Sequence, residues 1–242
     1  MTYRINEFNQ PVGEACPDWQ PRPLPERKTL TGVYCRLEPL SRQAHAASLY
    51  DAWQQAPDQS GWTYLFAGPF DSQAAFDAWL GMAEQSLDPL HYAVVDIASG
   101  QALGSLSLMR QDPKNGVIEV GSVTFSPRLR RTTLATEAHF LLMRYVFDTL
   151  GYRRYEWKCD SLNAPSRKAA ERFGFQFEGI FRQAIIYKGR TRDTAWYSLL
   201  DKEWPTVKHA FVTWLSPDNF DAQGKQRRPL AARPSAQEEN EL

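Results

Sequence analysis

Two rhythms of apolar residues alternate along this chain and divide it into strands and helices. Val117, Ile118, Val120, Val123, Thr124 and Phe125 are β-branched or aromatic and suit a pleated strand. Pro127 ends that strand because it has no N–H for a ladder. Leu134, Ala138, Leu141, Leu142, Tyr145 and Val146 then recur at helical spacing up to Gly151, a helix stop. Upstream, Val33 to Leu37 reads as a short strand and Ser41 as the cap of a helix running to about Gln55. Asp71 or Ser72 opens a second helix with Phe76, Trp79, Leu80 and Ala83 as its buried stripe. His91 to Ile97 and Ala102 to Met109 form a hairpin around Ser99-Gly100. Downstream, Tyr152 to Cys159 alternates, with Tyr155 and Trp157 on one side and Arg154, Glu156 and Lys158 on the other. Asn163 to Phe173 is a short helix with Pro165 in its first turn and Gly174 at its end. Phe175 to Tyr187 and Thr194 to Leu200 make a long hairpin about Lys188-Gly189-Arg190, and Glu203 to Leu215 a last helix.

This order predicts an α/β sandwich on a mixed sheet, with the middle helix crossing between parallel neighbours. Residues 1–30 carry Pro11, Pro17, Pro21, Pro23 and Pro25, a density that forbids regular structure. They read as a proline-rich arm draped over the domain by Phe8 and Trp19. The main domain covers 31–202, residues 203–220 are a C-terminal helix packed on it, and the polar stretch 221–242 reads as a disordered tail.

Composition narrows the function mainly by exclusion. The 242 residues carry a formal net charge of zero, so nothing global points to nucleic acid or an anionic membrane. Lys225, Arg227, Arg228 and Arg233 form a local basic cluster, but Glu238, Glu239 and Glu241 follow it and argue against RNA. No apolar run is long enough to span a bilayer, and the first residues do not read as a secretory signal. Cys16, Cys35 and Cys159 are odd in number and widely spaced, which fits free thiols in a reducing cytoplasm. There is no GxGxxG, GxxxxGK[ST] or GxSxG motif, and the four histidines have no partner at metal spacing, so no metal is predicted. One stretch does point to a ligand. Arg128, Arg130 and Arg131 lie beside a helix N-terminus behind a strand, where free N–H groups and the helix dipole favour a phosphorylated ligand.

Several motifs then coincide. They are Ala135-Thr136-Glu137-Ala138, Leu150-Gly151-Tyr152-Arg153-Arg154, Asn163-Ala164-Pro165-Ser166, Glu171-Arg172-Phe173-Gly174-Phe175, Glu178-Gly179 and Tyr197-Ser198-Leu199-Leu200. Together they resemble the GNAT N-acetyltransferase superfamily, nearest its RimJ/RimL-like branch, specifically over about 116–200 and plausibly from about Val33. The resemblance implies a mostly antiparallel mixed sheet with a central splay, helices on both faces, and acetyl-CoA lying in the V. It also implies pyrophosphate binding at the loop Arg130-Arg131-Thr132-Thr133-Leu134-Ala135, by main-chain N–H groups around Arg131 to Ala135. Two positions depart from the family's loop, since Arg131 and Thr133 stand where glycine is usual. Glycine lets phosphate approach the backbone closely; threonine narrows that approach but offers a hydroxyl.

Acetyl transfer requires that the amine shed a proton, that the thioester oxygen be stabilised and that the departing thiolate be protonated. The oxyanion donor is expected among the main-chain N–H groups of Val123, Thr124 and Phe125. Glu119 is the candidate base; the competing reading is that it binds a neighbouring arginine structurally. The tyrosine that many relatives use as thiolate acid is replaced by Ala170. By resemblance Asn163 touches the pantetheine arm or the substrate, and Ser166 lies near the sulfur. Trp62, Tyr64 and Tyr187 are candidate acceptor-pocket residues, with core packing as the alternative for each. The expected activity is direct transfer of acetyl from acetyl-CoA to a primary amine, either a protein N-terminus or a small molecule, by a monomer or homodimer. The alternative is a non-catalytic GNAT-fold module that senses CoA or docks a partner.

Overall fold

The computed structural model describes residues 4–233. In chain order the elements are β1 (Arg4–Ile5), β2 (Pro11–Val12), β3 (Leu30–Thr31), β4 (Cys35–Pro39), α1 (Arg42–Gln54), α2 (Gln73–Gln85), β5 (Leu90–Asp96), β6 (Ala102–Asp112), β7 (Val117–Phe125), α3 (Thr133–Arg144), β8 (Arg154–Asp160), α4 (Ala164–Arg172), β9 (Gln176–Tyr187), β10 (Arg190–Leu200) and α5 (Trp204–Leu215). Eight strands form one sheet in the order β3-β4-β5-β6-β7-β8-β10-β9. All neighbours pair antiparallel except β7 and β8. That single parallel pair is the crossover predicted for the middle helix, because only a helix-length connection can bring the chain back to start a parallel strand.

Helices cover both faces. Leu40, Leu49, Trp53, Phe76 and Leu80 pack on Ala93 and Val95 to make a smaller core under α1 and α2. The larger core lies on the other face, where α3 and α5 pack Phe140, Leu141 and Phe211 over Tyr92, Tyr155 and Tyr197. The helix caps follow the sequence. The hydroxyls of Ser41, Ser72 and Thr132 accept from the N–H three residues on, and the Asn163 side chain accepts from Ser166 N.

Four flanking features differ from the sequence reading. The arm is not without regular structure, because β1 and β2 pair around a turn at Asn9 whose φ is 59°. Pro11 is tolerated there because a two-residue edge strand needs no N–H from it. Trp19 does anchor the arm, donating from Nε1 to Lys114 O at 2.7 Å beneath Arg22, whereas Phe8 is exposed. The helix predicted up to Gly151 ends as α-helix at Arg144 and continues as a π-helical turn over Tyr145–Thr149. Finally, the chain after Phe220 is packed rather than loose as far as it is described. Leu230 and Ala232 are buried, and Arg233 donates to Gly174 O and pairs with Glu203. These contacts, with Asn219 bonded to the Arg228 main chain and Trp214 to Gln226, hold a polar segment that composition alone assigns to solvent. Residues 234–242, including the acidic Glu238, Glu239 and Glu241, lie outside the described residues.

Candidate active site

The sheet opens at its centre. The β7/β8 ladder runs from Val117↔Arg154 to Val120↔Trp157 and stops, although β7 continues to Phe125 and β8 to Asp160. The cause lies on the other side of β7. Ser105 opposes Thr124 while Ser107 opposes Gly121, so β7 carries an extra residue and Ser122 takes a φ of 50°. A bulge bends and twists its strand, and here it turns β7 away from β8. A non-glycine residue at positive φ costs on the order of 1 kcal/mol, so the bend is imposed by the surrounding sheet. Beyond Val120, main-chain groups that would pair with β8 are left facing a cleft of about 1370 Å³.

One wall of this cleft is the start of α3. Thr132 caps the helix, accepting from Ala135 N at 3.1 Å and donating to Leu129 O at 2.6 Å. The Ala135 N–H is therefore occupied, and the helix's open donors are those of Thr133 and Leu134. This corrects the main-chain donor role assigned to Ala135. Leu134 contributes backbone only, since its side chain packs against the larger core. Arg131 sits at φ 61°, the backbone that glycine would supply there. Arg130 is partly committed: its Nε donates to Phe125 O at 2.8 Å and its guanidinium lies over Trp53, 5.3 Å from the ring centre.

The opposite wall on this face is α4 with β8. Ser166 Oγ accepts from Trp157 Nε1 at 3.0 Å, so its own proton is free to be donated elsewhere. Asn163 and Ser166 both line the cleft. Cys159 is buried beside them; desolvation raises its thiol pKa, opposed by Ser166 and by the charge of Arg192. His139 lies under Trp157 and Phe173 and is held neutral, its pKa lowered to about 3 by burial.

The other face of the splay carries charge. Glu119 is buried, and its Oε2 receives Lys158 Nζ at 2.8 Å and Arg110 Nε at 3.1 Å. Lys158 also reaches Glu156 Oε2 at 2.6 Å and lies 3.9 Å above the ring of Trp196. Desolvation raises the Glu119 pKa, and the neighbouring Lys158 and Arg110 only partly oppose it. Both readings of Glu119 therefore have geometric support: it is ion-paired, and its carboxyl is nonetheless shifted toward the range a base needs.

Of the aromatic candidates, Tyr64 lines the cleft, its hydroxyl donating to Leu162 O at 3.3 Å. Trp62 does not. Its ring stacks on Trp53 at 4.3 Å within the smaller core, which corrects its assignment to the acceptor pocket. Tyr187 stands behind the lining, holding Asp160 Oδ2 at 2.8 Å and packing on Phe66. Lys158, Asp160, Phe181, Arg192 and Trp196, all facing the cleft, were missed as site residues. The alternation of β8 did place Lys158 on the face away from the larger core; nothing local in the sequence tells a buried strand cation from a solvated one. Among the described residues no group of three or more His, Cys, Asp or Glu side chains is arranged to hold a metal, and no helix is long and apolar enough to cross a membrane.

A splayed parallel pair with a helix N-terminus at its opening is the arrangement that the resemblance to the GNAT superfamily implied. Residues 35–176 match the family model described as an acetyltransferase (GNAT) domain, and the chain belongs to that family. A GCN5-related N-acetyltransferase from Brucella melitensis superposes with a TM-score of 0.86 at 53% identity, over 93% of this chain and 99% of that one. A putative ribosomal N-acetyltransferase, YdaF of Bacillus subtilis, is 31% identical over 109 residues, 45% of this chain and 59% of that protein. The chain thus spans about three fifths of the length of that curated relative. A ribosomal L7/L12 α-N-protein acetyltransferase, RimL, shares the fold at a TM-score of 0.61 and 18% identity, covering 72% of this chain and 94% of that one. At that identity the likeness to RimL shows the fold alone.

Proposed function

We propose that the protein transfers an acetyl group from acetyl-CoA to a primary amine by direct attack. The observation that carries this reading is the β7/β8 opening, which joins an anion-binding helix end on one face to a buried carboxylate on the other. The pyrophosphate would meet the N–H groups of Thr133 and Leu134, the Thr133 hydroxyl and the Arg131 side chain. The thioester would sit in the opening, with Asn163 against the pantetheine arm. The amine nitrogen attacks the thioester carbon, and the resulting oxyanion is held by main-chain N–H groups of Val123–Phe125. The C–S bond then breaks, the departing thiolate accepts a hydrogen bond from the Ser166 hydroxyl and takes its proton from water, and the amine's surplus proton passes to Glu119, directly or through water. Both cations bind Glu119 through Oε2, leaving Oε1 without an ion pair. That free oxygen supports a proton-accepting role.

The test is calorimetric titration with acetyl-CoA followed by acetylation of an amine library. Micromolar binding weakened about tenfold, near 1.4 kcal/mol, by Arg131→Ala supports the phosphate site. Acetylated amine at a rate above the enzyme-free control supports the activity. Binding without any amine acetylation would overturn the catalytic reading in favour of a CoA-sensing module.

A further inference from the structure

The acceptor half of the cleft holds a buried cation with no carboxylate partner. Arg192 is 7% exposed, yet among the described residues its guanidinium makes no ion pair, and its Nε has no hydrogen-bond partner. It lines the same cleft as Glu119 and the β7/β8 opening. Its strand neighbour Thr194 opposes Asp160 on β8, past the point at Trp157 where the β7/β8 ladder stops, so Arg192 lies beside the splay.

Its placement is built into the hairpin. On β9, Phe181 opposes Thr194 and Ile185 opposes Arg192, so three residues of β9 bulge out against Asp193 alone. Gln183 takes a φ of 51° within that bulge, and its N–H donates to Asp193 Oδ1 at 2.7 Å. The bulge fixes the bend that turns Arg192 into the cleft. Two aromatic faces receive the cation there, Phe66 at 5.6 Å and Tyr187 at 5.9 Å from their ring centres. The nearest carboxylate on the facing strand, Asp160, is already engaged by Leu162 N and the Tyr187 hydroxyl.

Aromatic faces offset only part of the desolvation of a buried guanidinium, and the fork of N–H groups remains open to a planar anion. Resting on the acetyltransferase reading above, we propose that Arg192 is a specificity-determining residue that binds a carboxylate of the acceptor, so that the preferred substrate is an amine that also carries a carboxylate. Glu119 and Arg192 then address the two ends of one zwitterionic molecule. The amine end meets an acid-base group near the opening, and the carboxylate end meets the only buried cation of the cleft that lacks an anionic partner among the described residues. A free amino acid supplies this chemistry with its own carboxylate. A peptide N-terminus supplies it with an acidic side chain.

The experiment compares two matched pairs of acceptors: a free amino acid with its primary amide, and a C-terminally amidated peptide beginning with Ala-Glu with its Ala-Gln counterpart. The wild type is expected to prefer the carboxylate-bearing member over the amide by about 30-fold in kcat/KM, about 2 kcal/mol, the worth of a charge-assisted bidentate contact. Arg192→Gln should bring that ratio to within about threefold of one, mainly through KM, while leaving acetyl-CoA affinity unchanged. Preference for the free acid assigns the α-carboxylate, and preference for the Ala-Glu peptide assigns the side chain. Equal turnover of acids and amides in the wild type overturns the proposal and leaves the acetyltransferase reading standing. If no amine is acetylated, that reading falls, and binding decides the role of Arg192 separately. N-acetylglutamate and its diamide, which lacks both carboxylates, would be titrated into the CoA complex of wild type and Arg192→Gln. Equal affinities, or an acid preference that survives the substitution, would overturn the carboxylate site.

Discussion

Replacing Glu119 by Gln separates its two readings. The side chain keeps its shape, loses its charge and can no longer take a proton. In the structure Lys158 would lose one carboxylate at 2.8 Å but keep Glu156 at 2.6 Å, so no buried cation is orphaned. The lost charge-assisted hydrogen bond is worth about 1.5–3 kcal/mol. Against it stands the cost of the buried carboxylate itself. The Glu119 pKa is raised above 4.5, so the folded protein binds that proton more tightly than the unfolded chain does. Stability therefore falls as pH climbs from about 4.5 to the raised folded value, and a glutamine escapes that fall. The two effects nearly offset, leaving a net change within about 1 kcal/mol, or 2–4 °C in Tm. Activity behaves differently. A general base contributes about 10²–10⁴-fold, so kcat should fall by at least about 100-fold. The wild-type kcat should rise with pH through the Glu119 pKa, and the variant should lose that rising limb. The assay is steady-state acetylation across pH 5–9 with parallel thermal unfolding. A variant whose kcat stays within threefold, with the limb at the same midpoint and Tm lowered by 8 °C or more, would refute the base role and leave only the structural ion pair.

Three further outcomes follow from single contacts. Glu137 is buried and accepts from the N–H groups of Val33, Tyr34 and Cys35, each at 2.7 Å. Glu137→Ala strands these donors at the join of β4 and α3 and should cost about 3 kcal/mol, a Tm fall of about 6–12 °C by calorimetry; a fall under 2 °C would mean that water replaces the carboxylate. Arg131→Gly relieves the positive φ, so Tm should rise by about 1–3 °C while acetyl-CoA affinity weakens several-fold in titration. Ser166→Ala removes the hydrogen bond proposed to stabilise the leaving thiolate and should lower kcat about tenfold with acetyl-CoA affinity within threefold of wild type. Unchanged single-turnover rates would remove Ser166 from the chemistry.

Most of the sheet was legible because its strands alternate and its helices are punctuated. Tyr155 and Trp157 face the larger core, while Glu156 and Lys158 face the other way, as the alternation of β8 requires. Lys188 and Gly189 both take positive φ, which the hairpin turn between β9 and β10 demands. The site was less legible because it is made by irregularities. The bulge at Ser122 and the one at Gln183 each depend on a register set by the neighbouring strand, and neither residue type announces a positive φ. Trp62 and Tyr64 are two residues apart in an aromatic loop, yet one is core and the other lines the cleft. Periodicity has no purchase on a loop. The same holds for Ala135, whose N–H looked available until Thr132 proved to be the cap.

The clearest gap lies beyond the family match, which ends at residue 176. Trp214, Phe220 and Gly224 to Gln226 come from α5 and the segment after it, and they line the cleft. Trp214 receives the guanidinium of Arg172 at 5.1 Å and donates from Nε1 to Gln226 at 2.9 Å. Arg172 in turn donates to the Thr136 hydroxyl at 3.2 Å, one turn into α3 from the open helix end. The C-terminal segment is thus tied through Trp214 and Arg172 to the helix proposed to hold the phosphates. Arg131 and Thr133 replace the glycines that would bring phosphate onto bare backbone, so the loop gives up some main-chain contact. Under the proposed function, the wall built from residues 214–226 would supply contact from outside the loop instead. Because Trp214 and Phe220 also pack in the larger core, an exposed lining residue makes the test: Lys225→Ala should weaken acetyl-CoA affinity in titration while Tm stays within about 2 °C.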